Sequence, residues 1–288
     1  MVDGLISTRA DVRQATPEDM DELRLLLGWS ERSHLRFQTS RLAQMLAGGL
    51  IHVVLRDGRV AGFFYVTVDY PYSMVRGLVV RPGQKTERIV ETAVDWAVTA
   101  CQSVDALGIS FIGDDRWLVP HLERSGFTRA GEIVGLHRAG SYLPREGNLT
   151  SWVRPAEGRD LDAIVEVDWS AFALTWRNGP QTTREFLAQM PHFLVAEEQG
   201  RVVGYVCGTN QGRSGHVVRL AVHQDVQRRG VGTRLLREIL QRMSGTGVRG
   251  LSLNTQRENV QSQLFYRSLG FSLSRRPTSV YRLDFQDK

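Results

Sequence analysis

The chain has few cysteines, no run of like charges and no long apolar stretch. Its 288 residues include only Cys101 and Cys207, both inside apolar stretches, which favours two reduced buried thiols over a disulfide. No window approaches the eighteen or so apolar residues that a membrane helix needs, and no secretory signal pattern is visible at the N-terminus. No cluster of histidine, cysteine or carboxylate has metal-ligand spacing. We expect a cytoplasmic protein with no metal site and no membrane partner.

The charge balance limits the ligand class. The formal net charge is +5, and the excess is spread along the chain instead of forming a basic stripe with interleaved aromatics. Such a distribution tolerates an anionic ligand but does not favour nucleic acid.

Internal self-similarity is the strongest organising signal. VRQATPEDMDEL (12–23) resembles VRPAEGRDLDAI (153–164), 141 residues later. GRVAGFFYV (58–66) matches GRVVGYVCG (200–208) at a separation of 142. The chain therefore consists of two copies of one unit, and we expect domains at 1–140 and 151–288 with a linker at 141–150.

Each copy has the same order of elements. Two short helices precede strands around a tight turn, then a buried strand, a long amphipathic helix, a strand, a helix ending in Gly-Phe and a last strand. This order predicts an α/β (α+β) fold of two tandem units, each a mixed, mostly antiparallel twisted sheet flanked by helices.

The stretch QRRGVG (227–232) is an unusual helix start. Cations oppose the helix dipole at this end, and glycine costs up to about 1 kcal/mol relative to alanine in a helix. A bound phosphate would explain both features, since glycines allow close approach to free N–H groups and arginines neutralise its charge. An ordinary solvated helix start is the alternative.

A second motif accompanies this turn. The strand, QRRGVG turn and helix resemble motif A of the GCN5-related N-acetyltransferase (GNAT) superfamily, whose pattern is Q/R-x-x-G-x-G/A. Asn259, Tyr266, Gly270 and Phe271 fill the places of the other family signature. The resemblance covers 151–288 directly and 9–140 through the repeat.

The resemblance implies a transferase, specifically an acyltransferase that moves an acetyl group from acetyl-CoA to an amine acceptor. Leu220, Ala221 and Val222 would pair with the pantetheine arm, and the Val222 N–H would stabilise the oxyanion. Asn259 would bind the same arm, and Tyr266 would protonate the thiolate, although a buried aromatic is the alternative reading of Tyr266. The loop that would hold the CoA pyrophosphate comprises Gln227, Arg228, Arg229, Gly230, Val231, Gly232 and Thr233.

The first copy lacks these features. At the 142-residue offset Gly230 is matched by Arg88 and Gly232 by Val90, and Tyr266 is matched by Leu122 at an offset of 144. A β-branched residue should block the approach of a phosphate, and leucine donates no proton. We expect the first copy to be a degenerate GNAT-like domain that binds no acetyl-CoA and that serves as a scaffold or supplies one wall of the acceptor pocket.

The acceptor side is less specific. His216, fourteen residues before Gly230, is the candidate base, with a water relay or a strand-end residue without a role as alternatives. Some family members that acetylate proteins carry a glutamate base at this spacing, so His216 departs from the pattern. Residues lining the acceptor pocket are predicted to be Asp168, Trp169, Phe172 and Trp176, although these aromatics could instead pack the helix onto the sheet.

Three functions are compatible with these motifs. The preferred one is N-acetylation of a primary amine on a small molecule or peptide, by a monomer or homodimer. A sensor that binds CoA thioesters without turnover would keep QRRGVG, but it would not need Tyr266. A nucleic-acid binder would use Arg228 and Arg229 on phosphates and would show strong salt dependence.

Overall fold

A computed structural model describes residues 11–140, 145–274 and 276–285. Residues 1–10 of the predicted first domain and 141–144 of the predicted linker lie outside this part. Contacts divide the chain into unit 1, which comprises Met1–Ala130 and Val280–Lys288, and unit 2, which comprises Gly131–Ser279.

Unit 1 is a mixed sheet with helices on both faces. Its strands are β1 (Asp11–Gln14), β2 (Ser33–Leu35), β3 (His52–Arg56), β4 (Arg59–Thr67), β5 (Tyr72–Val80) and β6 (Gly108–Ile112), joined by the last strand of the chain, β14 (Thr278–Asp284). The sheet order is β1-β3-β4-β5-β6-β14, with β2 pairing β5 off this path. Among the strand pairs described for this unit, only β5 and β6 are parallel. Helices α1 (Met20–Trp29) and α2 (Leu42–Ala47) cover one face, and α3 (Thr86–Gln102) and α4 (Val119–Arg124) cover the other.

Unit 2 repeats this architecture. Its strands are β7 (Thr128–Ala139), β8 (Trp152–Pro155), β9 (His192–Glu198), β10 (Arg201–Gln211), β11 (Ser214–Val222), β12 (Gly250–Gln256) and β13 (Ser272–Leu273). The order is β7-β12-β11-β10-β9-β8, β13 pairs β7, and only β11 and β12 are parallel. Helices α5 (Leu161–Ala171) and α6 (Pro180–Gln189) pack on one face, and α7 (Val231–Ser244) and α8 (Val260–Ser268) pack on the other. The predicted fold class is confirmed.

The repeat extends to individual polar contacts. Arg13 forms a bidentate ion pair with Asp19, whose carboxylate also accepts the Thr16 N–H before α1. Arg154 and Asp160 form the same pair before α5, where Asp160 accepts the Glu157 N–H. Each arginine lowers the pKa of its carboxyl group. The pairs begin equivalent helices in both units.

The last strand of each sequence repeat does not belong to the same compact unit as the rest of that repeat. Strand β7 ends the first repeat but pairs antiparallel with β12, and β14 ends the second repeat but pairs antiparallel with β6. The boundaries of the compact units therefore differ from the repeat boundaries expected at 140 and 151. Hydrogen-bonded pairing, which no local pattern encodes, decides where these strands belong.

The long helix α7 is held by its apolar stripe. Leu235, Leu236, Ile239 and Leu240 are at most 1% exposed and face the sheet. Burying each such side chain contributes about 1.5–3 kcal/mol. This packing holds the glycine-rich start of α7 in place despite its poor helix propensity.

Candidate active site

Strands β11 and β12 separate part of the way along their length. They pair in parallel from Ser214–Gly250 to Val217–Leu253. Beyond this point they no longer pair with each other, although β11 stays paired with β10 and β12 stays paired with β7 on their other sides. In the part of the chain that the structure describes, no strand covers the β12-facing edge of β11 from Val218 to Val222. We call this edge and the space beside it the groove. It offers main-chain N–H and C=O groups to a ligand, as a sheet edge does to an added strand.

A β-bulge lies where the groove begins. Cys207 is opposite Arg219 while Gly208 is opposite Val217, so Val218 is the extra residue in β11. A bulge bends a strand and increases its twist, which here turns β11 away from β12. It also changes which face the side chains occupy. Val217 packs with α7, whereas Arg219 points to α5.

The groove continues into a cavity of about 510 Å³. This cavity lies between the end of β11, the loop before α7 and the start of α8. Of the predicted cofactor residues, it is lined by Leu220, Ala221, Val222, Gln227, Arg228, Gly230, Gly232, Thr233 and Asn259. Arg229 lines a neighbouring opening with Asp225, and the side chain of Val231 is buried against α7 and the sheet. Most of the predicted cofactor set is thus brought together.

The glycine-rich loop has the backbone of an anion site. Arg228 and Gly230 adopt the left-handed conformation, with φ of 62° and 84°, and Gly230 caps α7. The first N–H groups of α7 have no intrahelical acceptor and face the cavity with the positive end of the helix dipole. A Cβ added to Gly232 would meet Val222, Phe265 and Leu220 at 3.5–3.7 Å, which is ordinary contact. The fold therefore does not need glycine at 232, and the missing side chain leaves the main chain open to the cavity.

The linker contributes a cation that the sequence patterns did not reveal. Arg145 lines the cavity, and the nearby Asn148 N–H donates to Gly230 O at 3.1 Å. A Cβ on Gly147 would lie 2.4 Å from Arg234 N, so glycine allows this segment to lie against the start of α7. The cluster of Gly, Pro and Ser at 141–150 predicts a linker, but such composition does not show what a segment contacts.

Asn259 and Tyr266 lie on α8. Asn259 caps the helix, since its Oδ1 accepts the Ser262 N–H at 3.0 Å, and it borders the cavity. Tyr266 is 7% exposed, and its ring contacts Phe265 and Phe271. Burial raises the pKa of Tyr266, and the charge of Arg219 opposes this rise only partly. The phenol is therefore protonated at neutral pH, but Phe265 and not Tyr266 lines the cavity.

The predicted base lies at the closed end of the groove. His216 Nδ1 is 2.9 Å from Ser252 Oγ, in the region where β11 and β12 still pair. His216 is not among the residues that line the cavity. Val222, the predicted oxyanion donor, lies at the opposite end of the groove, where Gln227 Nε2 donates to its carbonyl at 3.0 Å.

The predicted acceptor residues form a different structure from the one expected. Asp168 is fully buried, and its carboxylate accepts hydrogen bonds from Arg219, the Tyr205 hydroxyl and the Asn178 N–H. It is thus not available to an ammonium group, which corrects that expectation. Trp169 donates its indole N–H to Asn178 O at 2.8 Å.

Trp176 likewise holds the loop in place, because its carbonyl accepts from Arg219 Nη2 at 2.6 Å. Of the four predicted acceptor residues, only Phe172 lines the cavity. The other three hold the 172–179 loop between α5 and α6, because hydrogen bonding within the unit uses the groups that were expected to meet the acceptor.

Arg219 is the central residue that sequence analysis missed. Its guanidinium lies between the Asp168 carboxylate, at 2.9 Å from both Nε and Nη2, and the Phe172 ring, 3.6 Å from the ring centroid. Burial disfavours its charge, but Asp168 outweighs this effect and raises the pKa of Arg219. An arginine inside the apolar strand VVRLAV was the available signal, since a buried cation needs a partner.

The corresponding groove of unit 1 is filled by the chain itself. Strands β5 and β6 pair only from Tyr72–Gly108 to Met74–Ser110, with a bulge at Arg76 equivalent to that at Val218. The free edge of β5 is then paired antiparallel by β2, from Ser33–Val79 to Leu35–Gly77. Arg36 N–H donates to Arg76 O at 2.7 Å, and Val80 N–H donates to Arg32 O at 3.0 Å.

The start of the long helix also differs in unit 1. Helix α3 begins at Thr86, so Arg88, the match of Gly230, lies inside the helix and not at its cap. Val90 and Leu122 are at most 1% exposed and pack in the core. Unit 1 has neither the glycine-rich loop nor an open edge at this place.

Comparisons with known proteins agree with this geometry. The model of the acetyltransferase (GNAT) family matches residues 161–271. An uncharacterized N-acetyltransferase of Methanocaldococcus jannaschii is 31% identical over 121 residues, which cover 41% of this chain and 76% of that protein. A mycothiol acetyltransferase of Actinosynnema mirum is 27% identical over 282 residues, which cover 89% of this chain and 93% of that protein.

Solved structures show the same fold. A tandem GNAT protein from the clavulanic acid biosynthesis pathway has a TM-score of 0.60 at 15% identity, covering 96% of this chain and all of that one. A GNAT protein from Sphaerobacter thermophilus has a TM-score of 0.60 at 18% identity, covering 96% of both chains. At these identities the likeness concerns the fold alone.

The fold and the groove thus define an acyltransferase of the tandem GNAT type. The chain belongs to the GNAT family of N-acetyltransferases, as the family model and the relatives show. Acetylation that depends on acetyl-CoA is the general activity of this family. Among the described residues, no group of three histidine, cysteine or acidic side chains could hold a metal ion, and no helix is both long and apolar enough to cross a bilayer.

Proposed function

We propose that unit 2 transfers the acetyl group of acetyl-CoA to a primary amine of a small molecule or peptide by direct attack. The observation that carries this proposal is the single cavity in which the uncovered edge of β11 meets the glycine-rich start of α7. A polar, extended pantetheine arm fits a free strand edge, and a pyrophosphate fits free amides at a helix start with Arg145 and Arg228 beside it.

The cysteines support direct attack over a covalent acyl-enzyme. Cys101 and Cys207 are free and fully buried. Burial raises the pKa of the Cys101 thiol to about 11, and it raises that of Cys207 further. Neither thiol offers a thiolate at neutral pH, which a nucleophilic cysteine needs. Buried reduced thiols also support a location in the cytoplasm.

In the proposed reaction the neutral amine forms a bond to the thioester carbonyl carbon, and the carbonyl electrons move to its oxygen. The resulting tetrahedral intermediate collapses, breaks the C–S bond and releases a thiolate, which takes the Tyr266 proton. The amine loses its proton to His216 or to water. Burial raises the pKa of Tyr266, so its phenol is protonated at neutral pH but is a weaker acid than an exposed tyrosine.

We propose a different oxyanion donor from the Val222 N–H expected from the sequence. Leu220 and Val222 present N–H groups on the same edge, about 6.6 Å apart at 3.3 Å per residue. With the pyrophosphate at α7, an extended arm places the thioester beyond Val222, towards the bulge. We therefore assign the oxyanion to the Leu220 N–H. A crystal structure with CoA in which the sulfur lies beside Val222 would contradict this assignment.

One observation favours the alternative of a CoA-thioester sensor. Tyr266 is buried beneath Phe265 and does not line the cavity. Thiol release measured with a panel of primary amines separates the two functions. An acetyltransferase gives amine-dependent release that His216→Ala slows, with loss of the alkaline rise of the rate. Binding of acetyl-CoA without release for any amine would favour the sensor.

For the acceptor, we propose a small-molecule amine over a protein lysine. The full-length similarity to a mycothiol acetyltransferase supports this choice. The panel therefore includes aminoacyl compounds beside lysine peptides, and preferred turnover of the peptides would contradict it.

We also propose that unit 1 binds no acetyl-CoA and serves as a scaffold, so that catalysis belongs to the second repeat. The filled groove at β2 and the buried Val90 support this. Calorimetry should give one acetyl-CoA per chain, whether the chain is a monomer or a homodimer. A stoichiometry of two would contradict it.

A further inference from the structure

Equivalent segments behave differently in the two units. In unit 1 the connection between α1 and α2 forms β2 and occupies the free edge of β5. In unit 2 the 172–179 loop, which is the same connection, forms a short 3-10 turn at Leu174–Trp176 and leaves the groove open. The strands and bulges beside the two segments are equivalent. The difference between the two segments must therefore come from the residues that hold each of them.

The residues that hold the unit 2 loop have no counterparts in unit 1. At the 141-residue offset of the helices, Asp168 is matched by Leu27 and Trp169 by Gly28. At the 142-residue offset of the strands, Tyr205 is matched by Phe63, and Arg219 is matched by Gly77. The whole set that anchors the loop is apolar or lacks a side chain in unit 1.

Arg219 and the segment that fills the groove of unit 1 occupy equivalent space. A Cβ built on Gly77 would lie 2.7 Å from Phe37 Cε1, and Phe37 lies two residues after the end of β2. A side chain at position 77 would therefore push against the segment that fills the groove of unit 1. In unit 2 the same position carries an arginine that stacks on Phe172 and binds the Trp176 carbonyl.

We propose that Arg219, fixed by Asp168, is a positioning residue that keeps the 172–179 loop out of the groove. It ties the loop to α5 and occupies the space that Phe37 takes in unit 1. Without it, the loop pairs with the edge of β11 and competes with acetyl-CoA. The inference rests on the proposed function only in that the pantetheine arm uses this groove.

A glycine variant that copies unit 1 tests the proposal without leaving a buried charge or the Tyr205 hydroxyl unpaired. In Asp168→Leu/Tyr205→Phe/Arg219→Gly, all three positions carry the residues found in unit 1, so neither a carboxylate nor a phenol remains unpaired in the core. The matched control is Asp168→Leu/Tyr205→Phe/Arg219→Leu. It loses the same ion pair but keeps a side chain at 219.

The readouts are amide hydrogen exchange over 218–222 without ligand and the Kd for acetyl-CoA. In the wild type we expect fast exchange at Leu220 and Val222, and in the glycine variant slow exchange because the loop pairs with them. A loop that fills the groove nine-tenths of the time leaves a tenth of the molecules competent, so the Kd rises at least tenfold. The leucine control should keep fast exchange and a Kd within about threefold of the wild type.

Two outcomes overturn the proposal. One is wild-type exchange and wild-type Kd in the glycine variant. The other is equal loss of binding in both variants, which is what a purely structural role of the ion pair would produce. The exchange measurement needs no ligand and no turnover. Failure to acetylate any amine would therefore contradict the proposed function without deciding this test.

Discussion

Replacing Gly232 with alanine should separate stability from cofactor binding. Gly232 lies in the first turn of α7, and an added Cβ would meet its nearest neighbours at 3.5–3.7 Å, without overlap. Alanine is better than glycine in a helix by up to about 1 kcal/mol. The variant should therefore fold at least as well as the wild type, with a melting temperature higher by up to about 4 °C.

The same methyl group occupies the cavity that we assign to the pyrophosphate. If it moves a phosphate away from one main-chain N–H, it removes a charge-assisted hydrogen bond of about 1.5–3 kcal/mol. This loss corresponds to a Kd for acetyl-CoA that is roughly 10- to 150-fold weaker. Gly232→Val, which copies Val90 of unit 1, should weaken binding further because it adds two methyl groups at the same point.

Isothermal titration calorimetry and thermal unfolding of the same samples measure the two effects. Gly245→Ala is the matched control. Gly245 caps the other end of α7 with helical φ, and its Cβ would approach nothing closer than 3.4 Å. It should leave the affinity for acetyl-CoA unchanged. Unchanged affinity in Gly232→Ala would refute the argument that glycine at 232 serves a phosphate.

Three further outcomes follow from the site and the helix starts. Tyr266→Phe should lower kcat, measured by steady-state kinetics, by about 10²-fold or more. The Kd for acetyl-CoA, measured by calorimetry, should change little. Arg145→Gln should weaken acetyl-CoA binding about tenfold and reduce its dependence on salt, measured by titration at two ionic strengths. Asp160→Asn should cost about 1.5–3 kcal/mol at pH 7 in urea unfolding, because Asp160 loses its charged bond to Arg154.

Each of these outcomes has its own control. Retained kcat in Tyr266→Phe would leave protonation of the thiolate to water. Arg242→Gln, near the far end of α7 and outside the cavity lining, should not alter the salt dependence. For Asp160, the lowered pKa gives stability that is complete above pH 4–5 and declines as the pH falls through the folded-state pKa. Asp160→Asn should therefore show a smaller loss of stability on acidification, and an equal loss would exclude this pair as a cause.

The elements predicted from sequence correspond closely to those in the structure, because their signals are local. The apolar stripe of α7 repeats with helical period, and the Asp57-Gly58 and Gln199-Gly200 pairs mark the turns in both repeats, with φ above 50° at each residue. The left-handed backbone explains Gly230, whereas no fold requirement explains Gly232, which indicates close approach of a ligand. Such local signals predicted most of the residues that line the cavity.

The errors have a different origin. Asp168 was interpreted as a free carboxylate because its partner Arg219 lies 51 residues away on another element. Strand β2 was missed because three residues carry no periodic signal, and its pairing with β5 spans more than forty residues. In both cases the deciding partner is distant in the chain.

The sequence alone determined three features: the repeat, the order of helices and strands, and the presence of amides and arginines that could bind a phosphate. Each of them depends on residue type and local spacing. The tertiary structure decides which groove is open. One arginine in unit 2 and one glycine in unit 1 direct equivalent loops to different places. Such an outcome depends on steric exclusion and on ion pairing between segments that only the folded chain brings together.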